Sequence, residues 1–154
     1  MDLLLWRHAE AFDMREVQDD LERALTPKGE RQAVRMAGWL NRQLPSSTRI
    51  LASPARRAQQ TAAALERKFK TVDALAPGTS VEALLRAARW PDAREPVLVV
   101  GHQPTLGEAA AALLGGAPGA AWSVRKAGVW WLRARERDGE LQIVLHAVIS
   151  PDLL

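Results

Sequence analysis

Asp2-Leu3-Leu4-Leu5-Trp6-Arg7-His8 sets four consecutive apolar residues against an Arg-His pair. A run that is apolar at every position, rather than at every second one, suits a strand covered on both faces, and its abrupt polar end marks the carboxyl terminus. The same pattern recurs twice: Arg49-Ile50-Leu51-Ala52 runs into Ser53-Pro54, and Pro96 to Val100 runs into Gly101-His102. Helical patterns separate these runs. Residues 9–25 are polar and aperiodic and read as a loop, after which Thr26-Pro27 supplies a cap and a first-turn proline. Ala33, Met36, Ala37, Leu40 and Leu44 then recur at helical spacing, up to about Pro45. Ser53-Pro54 repeats the cap-plus-proline signal ahead of Ala58, Ala62, Leu65 and Phe69. A short strand is predicted over Val72–Leu75. Thr79-Ser80-Val81-Glu82 and Thr105-Leu106-Gly107-Glu108 read as capping boxes opening two further helices, the first reaching about Arg89 and the second stopping at Gly115-Gly116. Val129–Arg135 and Leu141–Ile149 alternate around Asp138-Gly139, a hairpin signature. The expected fold is α/β: a three-layer α/β/α sandwich around a mostly parallel central sheet, with an antiparallel hairpin at one edge. A single domain over 1–154 is expected.

Composition narrows the chemistry. The chain holds 154 residues and no cysteine, which excludes disulfides, thiolate metal sites and a cysteine nucleophile. Neither a signal peptide nor an uninterrupted apolar span is visible, so the expectation is a cytoplasmic protein without membrane attachment. The formal charge of +3 is too small and scattered to imply nucleic acid. No helical histidine pair and no Gly-rich nucleotide fingerprint occurs, so neither a metal nor another cofactor is expected.

In an open parallel sheet, ligands bind beyond the carboxyl ends of the strands. Arg7-His8, Ser53 to Arg57 and Gly101-His102 all follow such ends, which collects two of the three histidines and several arginines on one rim. Guanidinium forks and imidazole donors suit a phosphoryl group. Arg56 and Arg57 would otherwise be cations in a first helical turn, where the helix dipole opposes them unless an anion is near. His146 shares the Gln142 face of an alternating strand and reads as a half-exposed structural residue. The six tryptophans read as packing, and Glu10, Asp19, Asp20 and Glu22 as a solvated loop.

Leu5-Trp6-Arg7-His8-Ala9-Glu10-Ala11 resembles the signature of the histidine phosphatase superfamily, which includes phosphoglycerate mutase, and within it the small SixA-type phosphohistidine phosphatases. Three further segments match in order: Arg23-Ala24-Leu25-Thr26-Pro27-Lys28-Gly29, Ser53-Pro54-Ala55-Arg56-Arg57-Ala58-Gln59-Gln60-Thr61, and Val99-Val100-Gly101-His102-Gln103-Pro104. The resemblance implies a phosphoglycerate mutase-like fold, with His8 as the nucleophile that takes the phosphoryl group and Arg7, Arg57 and His102 around its oxygens. Arg57, not Arg56, matches the motif arginine. Arg23 either touches substrate phosphate or braces its loop.

Larger members of that family supply a mid-chain glutamate as general acid, whereas Val72-Asp73-Ala74-Leu75-Ala76-Pro77-Gly78 offers only Asp73, with the acids of residues 10–22 as alternatives. A leaving imidazole needs less proton assistance than an alkoxide, so the resemblance and this departure together imply a phosphohistidine substrate. The expected partner is a phosphorylated protein such as a histidine phosphotransfer domain, met by a monomer in an open groove. The alternatives are a metal-independent phosphatase of small phosphomonoesters and a non-catalytic phosphate- or phosphoprotein-binding module.

Overall fold

The computed structural model describes residues 1–14 and 19–154. Six strands form one sheet: β1 (Asp2–Arg7), β2 (Arg49–Ala52), β3 (Lys70–Thr71), β4 (Val97–Gly101), β5 (Val129–Arg137) and β6 (Glu140–Ile149), in the order β3-β2-β4-β1-β5-β6. β1, β2, β3 and β4 pair in parallel, while β5 and β6 complete the sheet antiparallel. The helices are α1 (Pro27–Gln43), α2 (Arg56–Ala63), α3 (Val81–Ala87) and α4 (Thr105–Leu113).

The consecutive apolar run of β1 is explained by its two faces. Leu4 and Trp6 pack with Met36 and Leu40 of α1 and Ala58 and Ala62 of α2, whereas Leu3 and Leu5 pack with Leu84 of α3 and Leu106, Ala109 and Ala110 of α4. The side chains of Leu3, Leu4, Leu5 and Trp6 are fully buried. This is the three-layer α/β/α arrangement with a mostly parallel sheet and an edge hairpin. The hairpin turns at Asp138 and Gly139, whose φ angles of 53° and 79° are those of a two-residue turn. No described helix is long and apolar enough to cross a membrane.

Several local expectations are corrected. Ser53 does not cap α2: Ala55 occupies that position without a side-chain bond, and α2 ends at Ala63, leaving Leu65 and Phe69 beyond it. Thr105 is likewise the first residue of α4, its hydroxyl donating to Thr79 O (2.8 Å). α3 is capped by Ser80, which accepts from Ala83 N–H, and it stops at Ala87. The strand expected at Val72–Leu75 is β3, two residues earlier, followed by a 3-10 turn over Asp73–Leu75. In the expected loop, 15–18 lie outside the described residues, and Asp20–Glu22 forms a 3-10 turn. The excursion is closed at its base by the Ala11–Leu25 bridge.

Candidate active site

Strand register carries the site residues to one edge. Arg7 lies beside Gly101 and Ala52 beside Val100, so His8, Ser53 and His102 leave the sheet together. His8 N–H donates to Gly101 O (3.1 Å) and Ser53 N–H to Val100 O (3.0 Å), fastening the three chain exits to one another. The rings of His8 and His102 lie 5.2 Å apart at 53°. His8, His102, Ser53 and Arg57 are all buried.

A hydrogen bond to a carbonyl assigns the tautomer of His8. His8 Nδ1 lies 2.7 Å from Ala9 O, and a carbonyl only accepts, so Nδ1 carries the proton and Nε2 keeps its lone pair. His102 Nε2 lies 2.7 Å from Ser53 Oγ, which already accepts Ala55 N–H (3.1 Å). The Ser53 hydroxyl is free to donate its hydrogen to Nε2, and in that tautomer neutral His102 presents N–H at Nδ1. Burial pushes His8 down to about 4; the Ala9 carbonyl opposes this, and Arg57, Arg7 and Arg23 depress it further. Burial, aided by His8, Arg57 and Arg23 and opposed by Asp20, pushes His102 down to about 3. Both rings are therefore neutral near pH 7.

The arginines converge on an acid that reads from sequence as a solvated loop residue. Arg57 Nη1 donates to Asp20 O (2.7 Å) and Nη2 to Asp20 Oδ2 (3.0 Å), while Arg23 Nε donates to Asp20 Oδ1 (2.9 Å) and Nη1 to Phe12 O (2.8 Å). Burial would raise Asp20, but the hydrogen bonds and charges of Arg23 and Arg57 hold it below the usual carboxylate range. Arg23 thus braces the loop and shares a carboxylate with Arg57. Arg7 Nη1 donates to Val124 O (2.9 Å). Arg56 is exposed, in contrast to Arg57. Asp73 is exposed and has no hydrogen bond or ion pair to these residues among those described.

Buried donors without partners mark where an anion fits. Arg7 Nε, Arg57 Nε and His102 Nδ1 are unsatisfied among the described residues, a costly state that phosphoryl oxygens would relieve. No group of three or more His, Cys, Asp or Glu is placed to hold a metal ion among the described residues.

Motif positions with no obvious chemistry turn out to secure the frame. Thr61 Oγ1 accepts Ala9 N–H (3.0 Å) while donating to Arg57 O (2.7 Å). Gln60 Oε1 accepts Leu25 N–H (2.7 Å), and Gln32 Oε1 accepts Glu10 N–H (3.0 Å). Gln103 holds Trp122 O and Gly107 N–H at once. Glu10 itself accepts the Thr26 hydroxyl (2.7 Å), which commits it to the start of α1.

A mostly parallel sheet that delivers two neutral histidines and a set of arginines to one rim defines a phosphoryl-handling α/β protein. Residues 3–77 match the model of the histidine phosphatase superfamily (branch 1). An uncharacterised protein of Picosynechococcus sp. is 38% identical over 143 residues, spanning 87% of this chain and 86% of that protein. The structure of the protein histidine phosphatase SixA complexed with tungstate superposes with a TM-score of 0.75 at 25% identity, covering 99% of both chains. A structure from Nakamurella multipartitia, assigned to phosphohistidine phosphatase SixA, matches with a TM-score of 0.68 at 28% identity over 85% of this chain and 83% of that one. The chain belongs to the histidine phosphatase superfamily, and it is a hydrolase of the phosphatase class.

Proposed function

We propose that this protein is a phosphohistidine phosphatase that passes through a covalent phospho-His8 intermediate. The observation that carries the reading is the state of His8: a buried ring, neutral above about pH 4, with Nδ1 tied to Ala9 O and the Nε2 lone pair free beside Arg7, Arg57 and His102. Nε2 attacks phosphorus in line as the P–N bond to the leaving imidazole breaks, and that imidazole departs as a neutral ring after taking one proton. Water then attacks phospho-His8, the His8–P bond breaks, and inorganic phosphate and free His8 are regenerated. The guanidinium groups of Arg7 and Arg57 and the N–H of His102 stabilise the charge on the phosphoryl oxygens throughout. Likeness to SixA structures supports a protein phosphohistidine as the substrate, and we propose that a phosphotransfer domain presents it.

Asp20 favours a second reading, a phosphatase of small phosphomonoesters, because a carboxyl beside Arg57 could protonate an alkoxide. Its depressed pKa weighs against this: an acid held ionised by two guanidinium groups has no proton to give at rest.

The test is a paired steady-state assay without added metal, comparing phosphoramidate and a phosphohistidine peptide with phosphomonoesters. His8→Ala serves as the blank and should abolish turnover. A preference for P–N substrates of about tenfold, roughly 1.4 kcal/mol at the transition state, supports the reading. Faster turnover of esters, lost selectively in Asp20→Asn, assigns the second reading instead. Substantial turnover by His8→Ala refutes the covalent intermediate.

A further inference from the structure

A cavity of about 600 Å3 opens beside the catalytic rim, between α1, residues 123–126 and the 3-10 turn Pro151–Leu153. Its wall carries six cations: Arg7, Lys28, Arg31, Arg35, Arg125 and Lys126. Arg7 belongs to both this cavity and the catalytic site. One carboxylate, Asp152, lines the same space, and it pairs with Arg125 (3.3 Å). Arg35 reaches only Leu154 O, at 3.5 Å, and among the described residues no carboxylate pairs with Lys28, Arg31 or Lys126.

Helical spacing gives this charge a direction. Lys28, Arg31 and Arg35 stand three and four residues apart on α1, so they form one exposed row about 10 Å long on the wall of the cavity that Arg7 also lines. Val34 beside them is 65% exposed. A row of that length exceeds what one additional phosphate on a small molecule can span, but it matches acidic side chains spaced along a partner helix.

Resting on the phosphohistidine reading of the catalytic site, we infer that the row Lys28-Arg31-Arg35, with Lys126 opposite, docks an acidic protein surface that flanks the phosphohistidine. Arg7 engages the phosphoryl group while the row engages carboxylates beside it. The substrate class is therefore a phosphohistidine on an acid-rich helical face, and free phosphoramidate, which lacks that face, gains nothing from the row.

The experiment uses the full chain and the Lys28→Gln/Arg31→Gln/Arg35→Gln variant, all three positions being exposed. The probes are phosphoramidate and two helical peptides phosphorylated on their one histidine, with three glutamates or three glutamines on the phosphohistidine face. The unsubstituted protein should have a kcat/KM about tenfold higher on the glutamate peptide, the combined effect of three exposed ion pairs. The preference should vanish in the variant and shrink as salt is raised, with phosphoramidate turnover unchanged. Equal rates on the two peptides, or a preference that survives in the variant, overturn the inference. So does a small bisphosphorylated compound losing rate in the variant while the peptides do not, which would assign the cavity to a small-molecule phosphate. Fluorescence anisotropy of the two peptides on His8→Ala protein separates docking from chemistry. If nothing is turned over yet the glutamate peptide still binds about tenfold tighter, the catalytic reading fails and the docking surface stands; equal binding overturns the docking surface itself.

Discussion

Titrating the two buried histidines tests the electrostatic basis of the site. The perturbation is a pH series from 7.5 to 3.5 on the ligand-free protein. His8 falls from its ordinary 6.5 to about 4, through burial first and then the nearby Arg57, Arg7 and Arg23, a shift equivalent to about 3 kcal/mol against the imidazolium form. At pH 5.5 most of His8 should therefore still be neutral, where an unperturbed imidazole would be mostly charged. His102, at about 3, should charge later still. Long-range 1H–15N correlation spectra read both the protonation state and the tautomer of each ring. With three histidines in the chain, His8→Gln, His102→Gln and His146→Gln complete the assignment. The expected result at pH 5.5 is two neutral buried rings, with His8 protonated at Nδ1 as its bond to Ala9 O requires. The reasoning is refuted if either ring charges between pH 6 and 7, or if His8 carries its proton on Nε2, because the nucleophile would then be blocked in the resting protein.

The same shifts make stability depend on pH with a fixed sign. Both folded-state values lie below 6.5, so the unfolded chain binds more protons as pH falls from about 6.5 toward 3–4, and stability is lost through that window. Each ring should cost about 2 kcal/mol at pH 5 relative to pH 7.5, read as a drop in urea midpoint that His8→Gln/His102→Gln removes. Arg57→Ala should lower kcat/KM by about 100-fold or more through loss of charge stabilisation, whereas exposed Arg56→Ala should leave it within about threefold. Equal losses in steady-state assays would place the motif arginine one residue earlier. Gly107→Ala should destabilise by about 3 kcal/mol, because a Cβ there would lie 1.7 Å from the backbone oxygen of Trp122. Gly38→Ala, whose nearest neighbour is Arg42 Nη1 at 3.7 Å, should instead stabilise α1 by about 0.5–1 kcal/mol, both changes being measured by urea denaturation.

The elements that read correctly from sequence are those whose residues report their own burial. Leu3–Trp6 of β1 and Val97–Val100 of β4 are apolar at every position because helices cover both sides of the sheet, and the turn at Asp138-Gly139 needs the residues it has. The misread elements are those in which a polar side chain serves a distant partner. Ser53 precedes a proline as an N-cap would, yet its hydroxyl is held by Ala55 N–H and His102 across 49 residues of chain. Thr105 similarly bonds Thr79 O. Local spacing carries no information about such partners. Asp20 is the clearest case, since nothing in Asp19-Asp20-Leu21-Glu22 distinguishes one acid from its neighbours until the closed base of the excursion carries Asp20 to Arg57. His8, Arg57 and His102 could be placed on one rim because parallel strand order fixes where strand ends lie, whereas which nitrogen of each histidine faces the substrate depends on Ala9 O and Ser53 Oγ.

These contacts also explain how the cationic pocket exists before substrate arrives. Arg57 is buried, and burial lowers its pKa while Asp20 raises it, so the carboxylate offsets part of the cost of holding the guanidinium inside. Asp20 is 41% exposed on its loop, against 4% for Arg57, so the anion is on the accessible side of the pair and can be exchanged without unpacking the core. On the proposed reading, a phosphoryl group with two negative charges would satisfy Arg57 more fully than one carboxylate can, and would offer oxygens to Arg7 Nε and His102 Nδ1, which Asp20 leaves unpaired. Substrate binding would then exchange anions at Arg57 rather than fill an unscreened positive hole. On that reading the arrangement would favour dianionic phosphoryl groups over the carboxylates and chloride of the surrounding solution, because a monoanion gives back little more than Asp20 already supplies.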